Sequence, residues 1–222
     1  MSALDLSLML VTDTALCGER GVPAVVAEAV AGGVTIVQVR EKHAEDRTVL
    51  ALVEQIASAI DGRATLILND RLDIAIKARE RGFRIDGVHL GQSDASVERA
   101  RAELGPDAVV GLTANRPEHF AAVARLPRGT VDYCGVGVVR PTTTKPNHPE
   151  PLGVDGWARL TAPVDLPCVA IGGIVASDAG PLRAAGAAGV AVVSAICAAP
   201  DARAAAQAFV RAWSGEPAEA IR

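Results

Sequence analysis

The 222-residue chain lacks several features that would place a protein in a class at once. It has no run rich in lysine or arginine and its formal net charge is −4, so no nucleic-acid partner is expected. It lacks the roughly 20 apolar residues in a row that a membrane helix needs. The uncharged stretch Ala184–Ala199 falls short and is interrupted by glycines and Ser194, so no membrane association is expected. Met1–Leu10 carries no basic residue, so no signal peptide is expected and the expected location is cytoplasmic. Cysteine is sparse: Cys17, Cys134, Cys168 and Cys197 lie far apart and form no CxxC pair. That spacing argues against a disulfide framework or a zinc site, and reads as small buried hydrophobes. Lysine is scarcer: of 22 basic residues only Lys42, Lys77 and Lys145 are lysine, leaving 19 arginines.

Apolar residues, by contrast, are plentiful. Half the residues are hydrophobic and 22% are charged, enough to fill one core and to exclude disorder of the whole chain. Short β-branched runs alternate with alanine-rich stretches of helical period. Strands are expected at Leu6–Thr12, Thr35–Arg40, Thr65–Asn69, Gly87–Leu90, Val109–Thr113, Val131–Gly137, Cys168–Ile171 and Val190–Val193. Helices are expected at Ala24–Ala31, Arg47–Ile60, Leu72–Arg81, Ser96–Leu104, Pro117–Leu126, Gly156–Leu160, Asp178–Ala185 and Ala202–Trp213. Eight units in 222 residues is about 28 residues each, close to the minimum for a βα unit. Strict alternation demands parallel strands and right-handed crossovers. Eight near-equal units favour a single-domain α/β fold, a (β/α)₈ TIM barrel over residues 1–214, rather than a doubly wound sheet. No linker divides the chain, and residues 215–222 read as a frayed tail. The one proline-rich interruption, Arg140–Pro151 (RPTTTKPNHPEP), follows the sixth strand, which in a barrel lies on the catalytic face.

Polar residues gather where strands end. Gln38, Arg40 and Lys42 alternate with Val39 and Glu41, which puts the three on one face. An amide, a guanidinium and an ammonium suit a polyanion such as pyrophosphate. The third strand ends in Asn69-Asp70, and Gln92-Ser93-Asp94 follows the fourth. Two carboxylates beside cations make sense if Mg²⁺ bridges Asp70 and Asp94 to phosphate oxygens. The competing reading makes each a helix N-cap, Asp94 in particular because it opens a helix. Thr113 ends the fifth strand, and Thr142, Thr143, Thr144 and Lys145 follow the sixth, as a cradle for phosphate or carboxylate. Gly172-Gly173 after the seventh strand and Val193-Ser194 after the eighth occupy the recurrent barrel phosphate site, where a short helix N-terminus also contributes. Two anion sites on one face, one with a metal, suggest a two-substrate reaction in which pyrophosphate leaves.

In this order the motifs QVREK, ILNDR, GVHLGQSD, GLTA, GVGVVRPTTTK, AIGGI and VAVVS resemble the thiamine-phosphate synthase family over nearly the whole chain. The resemblance implies condensation of 4-amino-2-methyl-5-hydroxymethylpyrimidine diphosphate with a thiazole phosphate, carboxylated or not. It implies that Gln38, Arg40, Lys42 and Asn69 meet the pyrimidine diphosphate and that Asp70 and Asp94 bind Mg²⁺. Thr113 would lie near the pyrimidine, and Lys145 would reach the pyrophosphate. Thr142 and Thr144 would face the thiazole, and Gly173, Val193 and Ser194 would take its phosphate. Arg40, Lys42 and Lys145 would be the catalytic cations. Two departures stand out: Val193 replaces a common isoleucine, and Pro146–Pro151 is unusually rich in proline, which would stiffen that loop. His89 reads as a hydrogen-bonded interior residue rather than a catalyst, and Lys77 as solvated.

Three other readings compete. A thiazole tautomerase of the same fold would have no use for a pyrophosphate clamp, and no acid–base histidine is readable beside Thr113, because His119 falls inside the next helix. A non-catalytic sensor of thiamine precursors would not need the metal pair. A sugar-phosphate isomerase would leave the QVREK cluster unexplained. Oligomeric state, including a homo-oligomer, is left open.

Overall fold

The computed structural model describes residues 4–144 and 149–216. Eight parallel strands close on themselves: β1 (Leu8–Val11), β2 (Ile36–Val39), β3 (Thr65–Asn69), β4 (Gly87–Leu90), β5 (Val109–Thr113), β6 (Tyr133–Gly137), β7 (Cys168–Ile171) and β8 (Gly189–Val192). Each strand pairs with its sequence neighbours, and β8 returns to β1 with Met9 beside Ala191. The helices among the described residues are α1 (Thr14–Cys17), α2 (Val22–Ala31), α3 (Asp46–Ile60), α4 (Leu72–Glu80), α5 (Val97–Leu104), α6 (Pro117–Val123), α7 (Gly153–Thr161), α8 (Ala176–Ala184), α9 (Ser194–Cys197) and α10 (Ala202–Ser214). The fold is therefore the expected (β/α)₈ barrel. Strict one-to-one alternation fails at α1 and α9, two four-residue helices beyond the eight expected. One turn is too short to carry a periodic signal. No helix among the described residues is long and apolar enough to cross a membrane.

Local chemistry explains the long elements. Helix α3 buries Val49, Leu50, Val53, Ile56 and Ile60, a stripe at helical spacing. Pro23 in the first turn of α2 needs no hydrogen bond from its nitrogen there. Asp201 caps α10 by accepting the Ala204 N–H at 2.8 Å, and Gly215, at φ 82°, ends it. Ser214 thus belongs to α10, one residue past the helix end expected at Trp213, and the tail follows it. Residues 217–222 of that tail lie outside the described residues.

Alternation along the strands sorts side chains into two cores. Val37 and Val39 face out into the layer between sheet and helices. Met9, Val11, Ile36, Ile67, Tyr133, Val169 and Ala191 point into the barrel and fill its lumen. Glycine makes room for the larger lumen groups. A Cβ on Gly111 would sit 2.3 Å from the Tyr133 ring, and one on Gly135 would sit 2.9 Å from His89 Cε1. All four cysteines are buried free thiols, and burial pushes Cys134 up to about 12 and Cys168 to about 11. That fits their reading as small hydrophobes, although the fold sets Cys134 directly beside Cys168 across β6 and β7.

Candidate active site

The lumen packing stops short of the strands' C-terminal ends, leaving a cavity of about 450 Å³. Twelve of the thirteen residues expected from sequence line it: Gln38, Arg40, Lys42, Asn69, Asp70, Asp94, Thr113, Thr142, Thr144, Gly173, Val193 and Ser194. The thirteenth, Lys145, lies outside the described residues, as do Pro146–His148 of the proline-rich loop.

The cationic wall comes from β2 and the turn after it. Gln38 points into the lumen, where its Nε2 lies 3.4 Å from Met9 Sδ. The strand ends at Val39, sooner than expected, so Arg40 and Lys42 stand on the following loop. Arg40 is held from three sides. Its N–H donates to Thr12 Oγ1 at 3.0 Å, Nη1 lies 3.8 Å from Asp13 Oδ2, and Nη2 reaches the Thr144 carbonyl at 3.4 Å. Lys42 Nζ lies 3.6 Å from Asp70 Oδ2.

Neither carboxylate of the expected metal pair is a helix cap. Helix α5 starts at Val97 and is capped by Ser96, whose Oγ accepts the Arg99 N–H at 3.2 Å. Asp94 therefore does not open the helix; its Oδ2 instead accepts the Gly91 N–H at 2.7 Å across the turn after β4. Helix α4 has Arg71 at its cap and no side-chain cap bond. Asp70 sits in the left-handed region at φ 63°. Burial and the neighbouring Asp94 carboxyl push Asp70 above the usual carboxylate range, although Lys42 pulls the other way. Two adjacent carboxyls are a donor set suited to a divalent cation. No group of three or more metal-binding side chains occurs among the described residues, so further ligands would have to come from substrate or water.

Across the cavity, the Thr142 and Thr144 hydroxyls lie 2.9 Å apart. Gly172 and Gly173 have φ of 100° and 64°, and any side chain there would strike Val138 at 2.4 Å or the Pro141 carbonyl at 2.5 Å. Ser194 opens the short helix α9 beside them.

Several lining residues were not anticipated. His89 is the expected interior histidine: Nδ1 meets the Tyr133 hydroxyl at 2.9 Å and Nε2 meets Thr113 Oγ1 at 3.0 Å. It also lines the cavity, as does Tyr133, whose phenol is pushed up by burial. His119 lies inside the next helix as expected, yet it lines the cavity and accepts the Asn115 N–H at 3.2 Å through Nδ1. It stands in the first turn of α6, and helical side chains lean toward the N-terminus, which here is the cavity end. Asn115 is pinned in turn, its Oδ1 accepting the Gly137 N–H at 3.0 Å. Lys77 is not simply solvated, since it pairs with Asp46 at 2.8 Å. His43 is exposed.

A closed eightfold barrel with a polar cavity at the C-terminal ends of its strands, cationic on one side and lined by glycine and hydroxyls on the other, is the architecture of the (β/α)₈ barrel enzymes. The family profile for thiamine monophosphate synthase matches residues 8–196. The thiamine-phosphate synthase of Psychrobacter sp. (strain PRwf-1) is 44% identical over 209 residues, covering 94% of this chain and 96% of that protein. That of Azorhizobium caulinodans is 47% identical over 202 residues, covering 89% and 90%. The solved structure of thiamine phosphate pyrophosphorylase from Pyrococcus furiosus superposes with a TM-score of 0.80 at 29% identity, covering 96% of this chain and 98% of that one. The chain belongs to the thiamine monophosphate synthase family and is a transferase.

Proposed function

We propose that this enzyme joins 4-amino-2-methyl-5-hydroxymethylpyrimidine diphosphate to a thiazole phosphate, giving thiamine phosphate and pyrophosphate, with CO₂ as well if the thiazole is carboxylated. The observation that supports this reading is the convergence on one cavity of two unlike walls, one bearing cations and carboxylates and one bearing hydroxyls and glycine. Arg40 and Lys42 beside the Asp70/Asp94 pair suit a diphosphate, while Thr142, Thr144, Gly173, Val193 and Ser194 suit a monophosphate facing it. When bound, Mg²⁺ at Asp70 and Asp94 would neutralise charge on the diphosphate.

The chain's own groups then have defined tasks. Gln38, Asn69 and Thr113 orient the pyrimidine, with Met9 and Tyr133 keeping water away from it. The bond from the methylene carbon to the diphosphate oxygen breaks, and the aminopyrimidine ring donates electrons to the resulting cation. Arg40 and Lys42, with Lys145 from the loop, take up the departing negative charge. The opposite wall holds the thiazole so that its nitrogen attacks that carbon. No side chain needs to move a proton in the bond exchange, so the site works by position and charge.

His119 in the cavity gives a thiazole tautomerase more support than the sequence suggested, because a histidine there could move a proton. The diphosphate wall still favours the synthase. The test mixes protein, both substrates and Mg²⁺, and follows thiamine phosphate by its oxidised fluorescence. Mg²⁺-dependent product is expected. Isomerisation of a carboxylated thiazole without product would establish the tautomerase, and tight binding without either reaction a sensor. Lys42→Ala and Asp70→Ala should each cut turnover by about 10²-fold or more, the scale of a lost charge-stabilising contact, and variants within about threefold of wild type would refute their roles.

A further inference from the structure

The phosphate-binding wall is tied together by an ion pair that sequence motifs do not reveal. Asp178, in the first turn of α8, is the one carboxylate among the buried polar residues described. Arg140, at the start of the threonine loop, grips it at two points, Nε to Oδ2 at 2.8 Å and Nη2 to Oδ1 at 2.6 Å. The same carboxylate accepts the Val175 N–H at 3.0 Å, fixing the turn that follows the diglycine. The Arg140 N–H donates to the Gly172 carbonyl at 2.9 Å. The backbone at 140–141 also lies so close on Gly173 that a Cβ there would be 2.5 Å from the Pro141 carbonyl. The loop that carries Thr142 and Thr144 is thereby clamped onto the turn that carries Gly173.

We propose that Arg140 is a positioning residue, whose two-point pairing with Asp178 holds the threonine loop on the diglycine turn and so sets the subsite for the phosphate of the thiazole substrate. Neither side chain lines the cavity. Both act through the groups that do. The pair is well suited to this, because a guanidinium fork meeting a carboxylate fixes orientation as well as distance. Lysine could supply the charge but not the fork. A pair that is partly desolvated adds little net stability and is better understood as fixing geometry. Burial pushes the Asp178 carboxyl up, but the Arg140 hydrogen bonds, the Val175 N–H and the Arg140 charge together outweigh it and hold it below the usual carboxylate range.

The substrate named here rests on the synthase reading, so wild-type turnover is measured first, and its absence would count against that reading alone. The clamp is read separately, by equilibrium binding of thiazole phosphate to wild type, Arg140→Gln, Arg140→Lys and Asp178→Asn, with steady-state KM values for both substrates. Arg140→Gln should weaken thiazole phosphate binding and raise its KM by about tenfold, as expected when a subsite is misplaced. The KM for the pyrimidine diphosphate should rise less, because the loop reaches the opposite wall through the long contact of the Thr144 carbonyl with Arg40 Nη2, 3.4 Å. Arg140→Lys should recover only part of the loss. Asp178→Asn keeps an acceptor for the Val175 N–H, so it should fold and still reproduce the Arg140→Gln pattern. Equal effects on both KM values, full recovery with lysine, or a silent Asp178→Asn would overturn the clamp. Melting temperatures of all variants separate these outcomes from loss of fold.

Discussion

Asp70 leaves β3 with its backbone in the left-handed region, which asparagine and aspartate enter at less cost than other side chains. Its carboxyl is pushed up by burial and by Asp94, so the metal-free fold disfavours its ionised form relative to the unfolded chain. For a group whose folded pKa is raised, the stabilising contribution is complete below the ordinary carboxylate pKa and is lost as pH rises through the raised value. Asp70→Asn should therefore make the metal-free protein more stable than wild type at neutral pH, with the difference vanishing in acid. Thermal melts from pH 4 to 8 in a chelator check this, and a variant no more stable at pH 7 would show that Lys42 already balances the charge. The same variant should lose Mg²⁺-dependent turnover, as a stability–function trade-off. At this scale the sequence was legible wherever a polar residue ended a strand: Gln38, Asn69, Asp70 and Thr113 all reach the cavity. It was not legible for His119, Tyr133 or Arg140. What those residues do depends on partners 4 to 44 positions away, His119 with Asn115, Arg140 with Asp178 and Tyr133 with His89.

Among elements, the long helices and central strands announced themselves by period, and their ends follow from caps. Helix α5 is the informative case, because the sequence put Asp94 forward as its cap and Ser96 as its first residue, whereas the structure caps it with Ser96. Ser96→Ala should cost about 1 kcal/mol, the usual worth of such a cap, and leave Mg²⁺ dependence unchanged. Asp94→Ala should do the reverse, with a small effect on the denaturation midpoint and a large one on the Mg²⁺ requirement. If Asp94→Ala destabilised the protein by as much as Ser96→Ala while leaving the metal dependence intact, Asp94 would be a turn residue only. Helices α1 and α9 stayed hidden because their four residues are ordered by their surroundings. Asp13 accepts the Leu16 N–H at 3.1 Å to start α1, and Ile196 and Cys197 bury the apolar side of α9.

For the whole molecule, the barrel separates function from support. At the end opposite the cavity, arginines satisfy carbonyls on loops leading into the strands: Arg79 reaches Ile85, Asp86 and Leu104, and Arg101 reaches Gly105, Pro106 and Ala108. Five donors on one planar head suit that work, which gives the chain's preference for arginine over lysine a structural use. The lumen is the part most sensitive to volume. Gly111→Ala would drive a methyl into the Tyr133 ring and should cost about 1–3 kcal/mol, as overpacked cores do. It should also lower activity by disturbing the Tyr133–His89–Thr113 chain of hydrogen bonds. A denaturation midpoint equal to wild type would mean the lumen has slack the geometry does not suggest. By itself the sequence determined the eight βα units, the barrel they must close into, and the face on which the polar strand ends collect. Those follow from local period and from the handedness of parallel crossovers, which act within one unit at a time. Only the tertiary structure decided which helix cap was real, which way His119 turned, and that Arg140 would clamp Asp178. Each of those depends on how closely groups from separate units approach, and that distance is set when the ring of strands closes.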